Sequence, residues 1–353
     1  MSTSNPTSAT TVSKKLEYIF ITHGDSYVGQ ALAMHIADQL DKNKGQLKTR
    51  HRAVLVLCQD KTKLKHLKKR GIKVKEVDYE SQHTIMEQIK VRIKTMIYNP
   101  FAVIPGRMIE YGKNVLEAAI RENVKRIVMI SSYGADTVDK SSTKTPLAQF
   151  NILEAHVRYH YKYGSWVVYR ILFIQQYMYF WTQMFENQNI LDMPISENDM
   201  LVTSMVWSYR EPQQHLEAFT ILSGGHDTAT SSSSDESNQQ PTAIKRVYEL
   251  TSEPLSLVMM ADAMSRALRE AGSDFDVDAA VISDEQLESY LKFVFKPSLL
   301  NVNELNNVLN DIFKIKDDIQ NSPRVVDDFA NRPYSFLQGS PFIDDILLKN
   351  REH

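Results

Sequence analysis

Few side chains in this sequence stand at spacings that could do chemistry unaided. His156 and His160 lie four positions apart, a spacing that puts two imidazoles on one side of a helix and would suit two ligands of a metal ion. No glutamate follows His156 in the metalloprotease manner and no third ligand is evident. A partly exposed helix face is therefore the expected reading, and no metal ligand is assigned. Cys58 is the only cysteine, which excludes an internal disulfide and a thiolate zinc cluster and fits a reducing compartment. Ser131 and Ser132 could act as nucleophiles only beside a positioned base. From Lys61 to Lys75 (KTKLKHLKKRGIKVK) positive charge is dense. With no interleaved aromatics to stack on bases, that run reads as a solvated helix face, and nucleic acid is not the expected partner.

The elements that must position these groups alternate along the chain. Leu16 to Thr22 is a short apolar, β-favouring run, followed by a helical pattern from Val28 to Leu40. Ala53 to Leu57 predicts a second strand, with a lysine-rich helix around Lys61 to Arg70. Val74 to Val77 and Thr95 to Tyr98 predict a third and a fourth. A helix over Met108 to Glu122 leads into Arg126 to Ile130, an unbroken apolar strand of the kind buried on both faces. A further helix over Leu147 to Tyr163 and a strand over Trp166 to Tyr169 complete the series. Strands alternating with helices imply a parallel sheet. Beyond them come a strand at Val247 to Leu250, a helix at Leu255 to Ala271 and helical patterns through Ile315.

At 353 residues, with 41 Lys+Arg against 43 Asp+Glu, the chain can bury a large core and carries no bulk field that would steer it to nucleic acid or membrane. No apolar run is long enough to span a bilayer. The Ser/Thr-rich residues 1–15 are expected to form a disordered tail, with 16–172 a dinucleotide-binding-like domain and 173–353 a smaller lobe. Within that lobe, 224–243 (GGHDTATSSSSDESNQQPTA) is a low-complexity stretch too polar to order itself.

Four segments, taken in order, resemble the NmrA-like branch of the atypical short-chain dehydrogenases. They are Ile19 to Leu32 (IFITHGDSYVGQAL), Asn114 to Asp136 (NVLEAAIRENVKRIVMISSYGAD), Glu154 to Phe173, and Tyr248 to Ala271, with a weaker echo at Asn331 to Phe342. The resemblance implies an α/β fold: a Rossmann-type doubly wound parallel sheet with a smaller mixed α/β C-terminal lobe. It also implies an NADP or NAD site built from Thr22, His23, Gly24, Ser26, Tyr27, Val28, Gly29, Gln59, Lys61, Asn99 and Ser131. Laid on the family's T-G-A-T-G-x-x-G turn, His23 replaces the first glycine and Ser26 the second, while Gly29 keeps the third. The first allows a tight turn, the second a close approach of backbone to pyrophosphate, and the third helix–strand packing. A left-handed backbone at His23 would cost about 1–2 kcal/mol, and the Ser26 side chain stands where the pyrophosphate would lie. Gln59, where NADP-binding members commonly have arginine, leaves Lys61 or Lys63 as the partial substitute.

The family's Y-x-x-x-K-x-x-x-E spacing, counted back from Glu154, puts Pro146 at the catalytic tyrosine and Phe150 at the lysine. Asn151 and Lys144 do not supply the missing group. No catalytic residue is assigned. The resemblance thus implies a regulatory or dinucleotide-sensing protein of the cytoplasm or nucleus, with weak or absent NAD(P) binding. It would act through a protein partner such as a transcription regulator. Two rivals stand beside it: an NAD(P)H-dependent reductase of a small carbonyl or aromatic compound, and a scaffold that binds no nucleotide.

Overall fold

The computed structural model describes residues 16–42, 52–90, 93–100, 107–136, 146–171, 189–193, 200–204, 245–250, 254–270 and 274–283, with a few short stretches between and after them. The expected tail at 1–15, the low-complexity segment at 224–243 and the helical patterns toward Ile315 lie outside the described residues.

The chain runs β1 (Glu17–Ile21), α1 (Tyr27–Lys42), β2 (Arg52–Cys58), then a 3-10 turn (Lys61–Leu64) into the short α2 (Lys65–Lys69). It continues β3 (Lys73–Glu76), α3 (Gln82–Ile89), β4 (Ile93–Tyr98), α4 (Met108–Arg121), β5 (Arg126–Ser132), α5 (Pro146–His160) and β6 (Ser165–Ile171). After these come β7 (Phe173–Ile174), β8 (Ile190–Met193), β9 (Met200–Ser204), β10 (Lys245–Leu250), β11 (Pro254–Ser256), α6 (Leu257–Glu270) and β12 (Asp278–Val281).

Seven strands form one parallel sheet in the order β10-β6-β5-β4-β1-β2-β3. The direction of winding reverses between β1 and β4, so the carboxyl ends of those two strands flank the switch point where this fold opens a crevice. Right-handed crossovers put α1 and α2 on one face and the packed row α3, α4, α5 on the other. Coverage on both faces explains why Ile127, Val128 and Met129 of β5 are all fully buried. β10 is a correction to the expected division at 172/173: it pairs in parallel with β6 inside the large sheet, Lys245 opposite Trp166 through Leu250 opposite Ile171. α6 packs instead on two small sheets, β11-β9-β7 and β12-β8.

Two packing details bring the elements to the crevice. Gly112 lets α4 close on the sheet, because a Cβ there would lie 2.5 Å from both the Tyr98 hydroxyl and Leu153. α4 then stops at Asn123, whose left-handed backbone (φ 53) lets the N–H groups of Asn123 and Val124 bond back to Ile120 and Ala119. Among the described residues, no helix is long and apolar enough to cross a membrane.

Candidate functional site

The turn from β1 into α1 is pinned to both neighbouring strands. The Asn99 N–H donates to Thr22 Oγ1 (3.0 Å), and the Thr22 N–H donates to the Ile97 carbonyl (3.0 Å), which holds the turn to β4. The Gly24 N–H donates to the Leu57 carbonyl (2.8 Å), which lays the turn directly over β2. A Cβ at Gly24 would stand 1.9 Å from Val56 Cγ1, so any other residue there must displace the Val56 side chain. At Gly29 a Cβ would meet the His23 carbonyl at 2.5 Å, the close helix-on-turn contact that the third glycine of the family pattern serves.

His23 does adopt the left-handed backbone, with φ 47. Its imidazole does not enter the crevice. It turns into the core, stacks on the Tyr79 ring at 3.9 Å and meets Tyr98 edge-on at 6.3 Å, while the His23 backbone N–H donates to the Tyr79 hydroxyl at 2.7 Å. Nε2 is buried with no hydrogen-bond partner, and burial pushes the imidazole pKa down to about 3. Tyr79 in turn faces Tyr111, over which the Arg107 guanidinium lies at 5.1 Å, paired with Glu80 and Glu110.

Ser26 takes the other route. Its Oγ accepts from the Gly29 N–H (2.8 Å) and from Asn99 Nδ2 (2.7 Å), so one oxygen caps α1 and gathers two converging donors. These are donors of the sort an anion at a helix N-terminus would use. The hydroxyl stands in for an anion oxygen.

At the end of β2, Asp25 reaches over from the turn and its Oδ2 accepts from the Gln59 N–H (3.4 Å). Its Oδ1 is buried without a partner, and burial raises its pKa above the usual carboxylate range. Gln59 is exposed, and Asp60 is spent on capping the following turn, accepting from the Thr62 N–H (2.9 Å) and hydroxyl (2.5 Å). Lys61 is paired with Glu76 (2.9 Å). The Cys58 thiol is buried, and that burial, with Asp25 nearby, pushes its pKa up to about 12, which leaves it inert as a nucleophile.

Where the resemblance places tyrosine and lysine, the described residues are proline, phenylalanine and asparagine, none of which carries a proton at these positions. Pro146 opens α5, Phe150 is fully buried, and Asn151 donates through Nδ2 to the Val138 carbonyl (3.1 Å). Lys144 lies outside the described residues. Tyr98 is buried with no hydrogen-bond partner at its hydroxyl, and burial raises its pKa, the reverse of what a proton-transferring phenol needs. Ser131 faces away into an ion pair, donating to Glu154 Oε1 (2.6 Å). Glu154 also binds Arg170 Nε (3.0 Å), Arg170 Nη2 (2.8 Å) and Arg158 Nη2 (2.7 Å), and Arg170 Nη1 reaches Asp136 (2.7 Å). Burial alone would lower the Arg170 pKa; Glu154 and Asp136 outweigh it and hold the guanidinium charged.

Of the residues singled out in the sequence, Thr22, His23, Gly24, Ser26, Val28, Gly29 and Asn99 therefore gather at one turn, with Tyr27 opening α1. Gln59 touches it through Asp25, Lys61 is held by Glu76, and Ser131 belongs to the Glu154 cluster. Asp25 and Tyr79 were not visible as site residues. Asp25 sits between two departures from the glycine pattern, and 56 positions separate Tyr79 from His23.

No family model matches the sequence, and no curated protein matches it. Compared by structure, the chain resembles an NADPH-dependent quinone oxidoreductase of Escherichia coli solved with NADPH, with TM-score 0.58 and 15% identity over 90% of this chain and 97% of that one. It also resembles the triphenylmethane reductase of Citrobacter sp. solved with NADP(H), with TM-score 0.60 and 15% identity over 94% and 99%. A nucleoside-diphosphate-sugar epimerase of Staphylococcus aureus gives TM-score 0.56 and 15% identity over 91% and 98%. At such identity the likeness establishes the fold: the chain is a Rossmann protein with the architecture of these reductases and epimerases.

A dinucleotide suits this turn in two respects. The Gly29 N–H and the Asn99 amide converge at the N-terminus of α1, and Asp25 Oδ1 is a buried acceptor without a donor. The Ser26 hydroxyl competes with it for the donors at the helix end.

Proposed function

We propose that the protein binds an NAD(P) dinucleotide across the carboxyl ends of β1 and β4 and serves as a dinucleotide-responsive regulatory protein of the NmrA-like kind. On this reading it acts through a protein partner and not through a tyrosine–lysine active site. The observation that carries it is a strand-to-helix turn whose donors converge at the N-terminus of α1, together with the buried Phe150 where the resemblance places the catalytic lysine. The NADPH and NADP(H) held by the quinone and triphenylmethane reductases support the choice of ligand. Thr22, Gly24, Val28, Gly29 and Asn99 are the residues that would hold it, around the Ser26 hydroxyl that contends for the same donors. A bound nicotinamide supplies hydride, and nothing in the described site supplies the proton that a simple carbonyl needs in return.

A second reading is favoured by the extent of the structural likeness, which covers nearly the whole of both reductases. Quinones and cationic triphenylmethane dyes are strong hydride acceptors, and hydride addition to them does not depend on a protein acid at the reacting carbon. The protein would then be a reductase of electron-poor carbonyl or aromatic compounds. Reduced cofactor mixed with the protein and a panel of aldehydes, quinones and triphenylmethane dyes separates the two. The regulatory reading expects thermal stabilisation that grows with dinucleotide concentration and no turnover of the nicotinamide absorbance. Turnover with the quinones or dyes would establish the reductase reading instead.

A further inference from the structure

The carboxylate that reads the adenosine ribose of a Rossmann dinucleotide ordinarily comes from the end of the second strand. Here Gln59 carries an amide, and Asp60 turns its Oδ1 to the Thr62 N–H and hydroxyl as the cap of the following turn. The carboxylate lying over the end of β2 comes from the turn instead. Gly24, held to Leu57 at 2.8 Å and pressed against Val56, sets the turn so that Asp25 meets the Gln59 N–H.

We infer that Asp25 is the residue that selects the dinucleotide, accepting from the adenosine ribose hydroxyls and thereby favouring NAD(H) over NADP(H). This rests on the dinucleotide-binding reading above and deepens it. One oxygen of the carboxylate is anchored to the backbone and the other has no donor at all. A desolvated acceptor without a donor is unfavourable, and a ribose hydroxyl relieves it. Rotation about the terminal torsion, which is broad and two-fold for aspartate, presents either oxygen to the ligand.

A 2′-phosphate at the same place carries close to two negative charges. It would face Asp25 and Asp60 together, and the Asp60 charge already adds to the cost of ionising Asp25. The cations available to offset it are few. Lys61 is held by Glu76, Arg70 is held by Asp38 and Asp41, and Lys63, the cation whose field reaches Asp25, is exposed. The preference runs opposite to the NADPH and NADP(H) found with the two structurally similar reductases.

Calorimetric titration of the full-length protein with NAD, NADH, NADP and NADPH tests this. The expected result is NAD(H) binding at least about tenfold tighter than NADP(H). In Asp25→Asn, which keeps the shape and removes the charge, NAD(H) should weaken, NADP(H) should strengthen and the gap should close. NADP(H) binding as tightly as NAD(H) or tighter in the unaltered protein overturns the inference while leaving dinucleotide binding intact. So does a gap unchanged in Asp25→Asn. Absence of binding by all four overturns the functional reading and this inference with it.

Discussion

At the residue scale, His23 and Ser26 occupy two glycine positions of one turn and solve the problem differently. His23 accepts the left-handed backbone and buries its ring against Tyr79 and Tyr98, two neutral phenols, so its imidazole has no acid to share a proton with. With its pKa lowered from 6.5 to about 3, His23 stays neutral in the folded chain while the unfolded chain takes up a proton. Stability from this residue is therefore complete above about pH 6.5 and is lost as pH falls toward 3, by at most about 1.4 kcal/mol per pH unit. Asparagine tolerates the same backbone and does not titrate, so the urea midpoint of His23→Asn should fall less steeply on acidification than that of the unaltered protein. Parallel profiles between about pH 7.5 and about pH 4 would show that His23 is not the buried neutral group described. The turn position of His23 was legible because a glycine pattern demands left-handed backbone there. Its ring contact was not, since Tyr79 comes from beyond β3.

At the scale of elements, buried Glu154, Arg170 and Ser131, with exposed Arg158 and Asp136 at the rim, tie α5 to the ends of β5 and β6. Two carboxylates and two guanidiniums balance. Removing Glu154 deprives the buried Arg170 of its two-pronged carboxylate partner, so Glu154→Ala should lower stability to chemical denaturation by roughly 3–5 kcal/mol. A loss within about 0.5 kcal/mol would place the cluster among exposed pairs of little consequence. The strands buried on both faces, β1, β2, β4, β5 and β6, were readable as apolar runs. β3 was read one residue late because it is an edge strand whose lysines face solvent, and α3 (QHTIMEQI) was missed because a short helix of mostly polar residues shows little periodicity.

At the scale of the molecule, alternation of strand and helix was enough to give a parallel doubly wound sheet, and the structural likeness to reductases and an epimerase agrees with it. Sequence order does not reveal sheet order, which is why β10 was expected with the smaller lobe and instead extends the large sheet beside β6. That extension leaves the crevice between β1 and β4 well inside the sheet, with strands on both sides of it. Dinucleotide binding there turns on one oxygen. Ser26 Oγ takes the Gly29 N–H and the Asn99 amide, and glycine at this position would free both for a phosphate while weakening the helix cap by only a few tenths of a kcal/mol. Charge-assisted hydrogen bonds to the freed donors amount to about 1.5 kcal/mol or more. Calorimetric titration of the unaltered protein and of Ser26→Gly with NAD should therefore show about tenfold tighter binding in the variant. Equal or weaker binding in Ser26→Gly would contradict the account, because the pyrophosphate would then not contend with that hydroxyl.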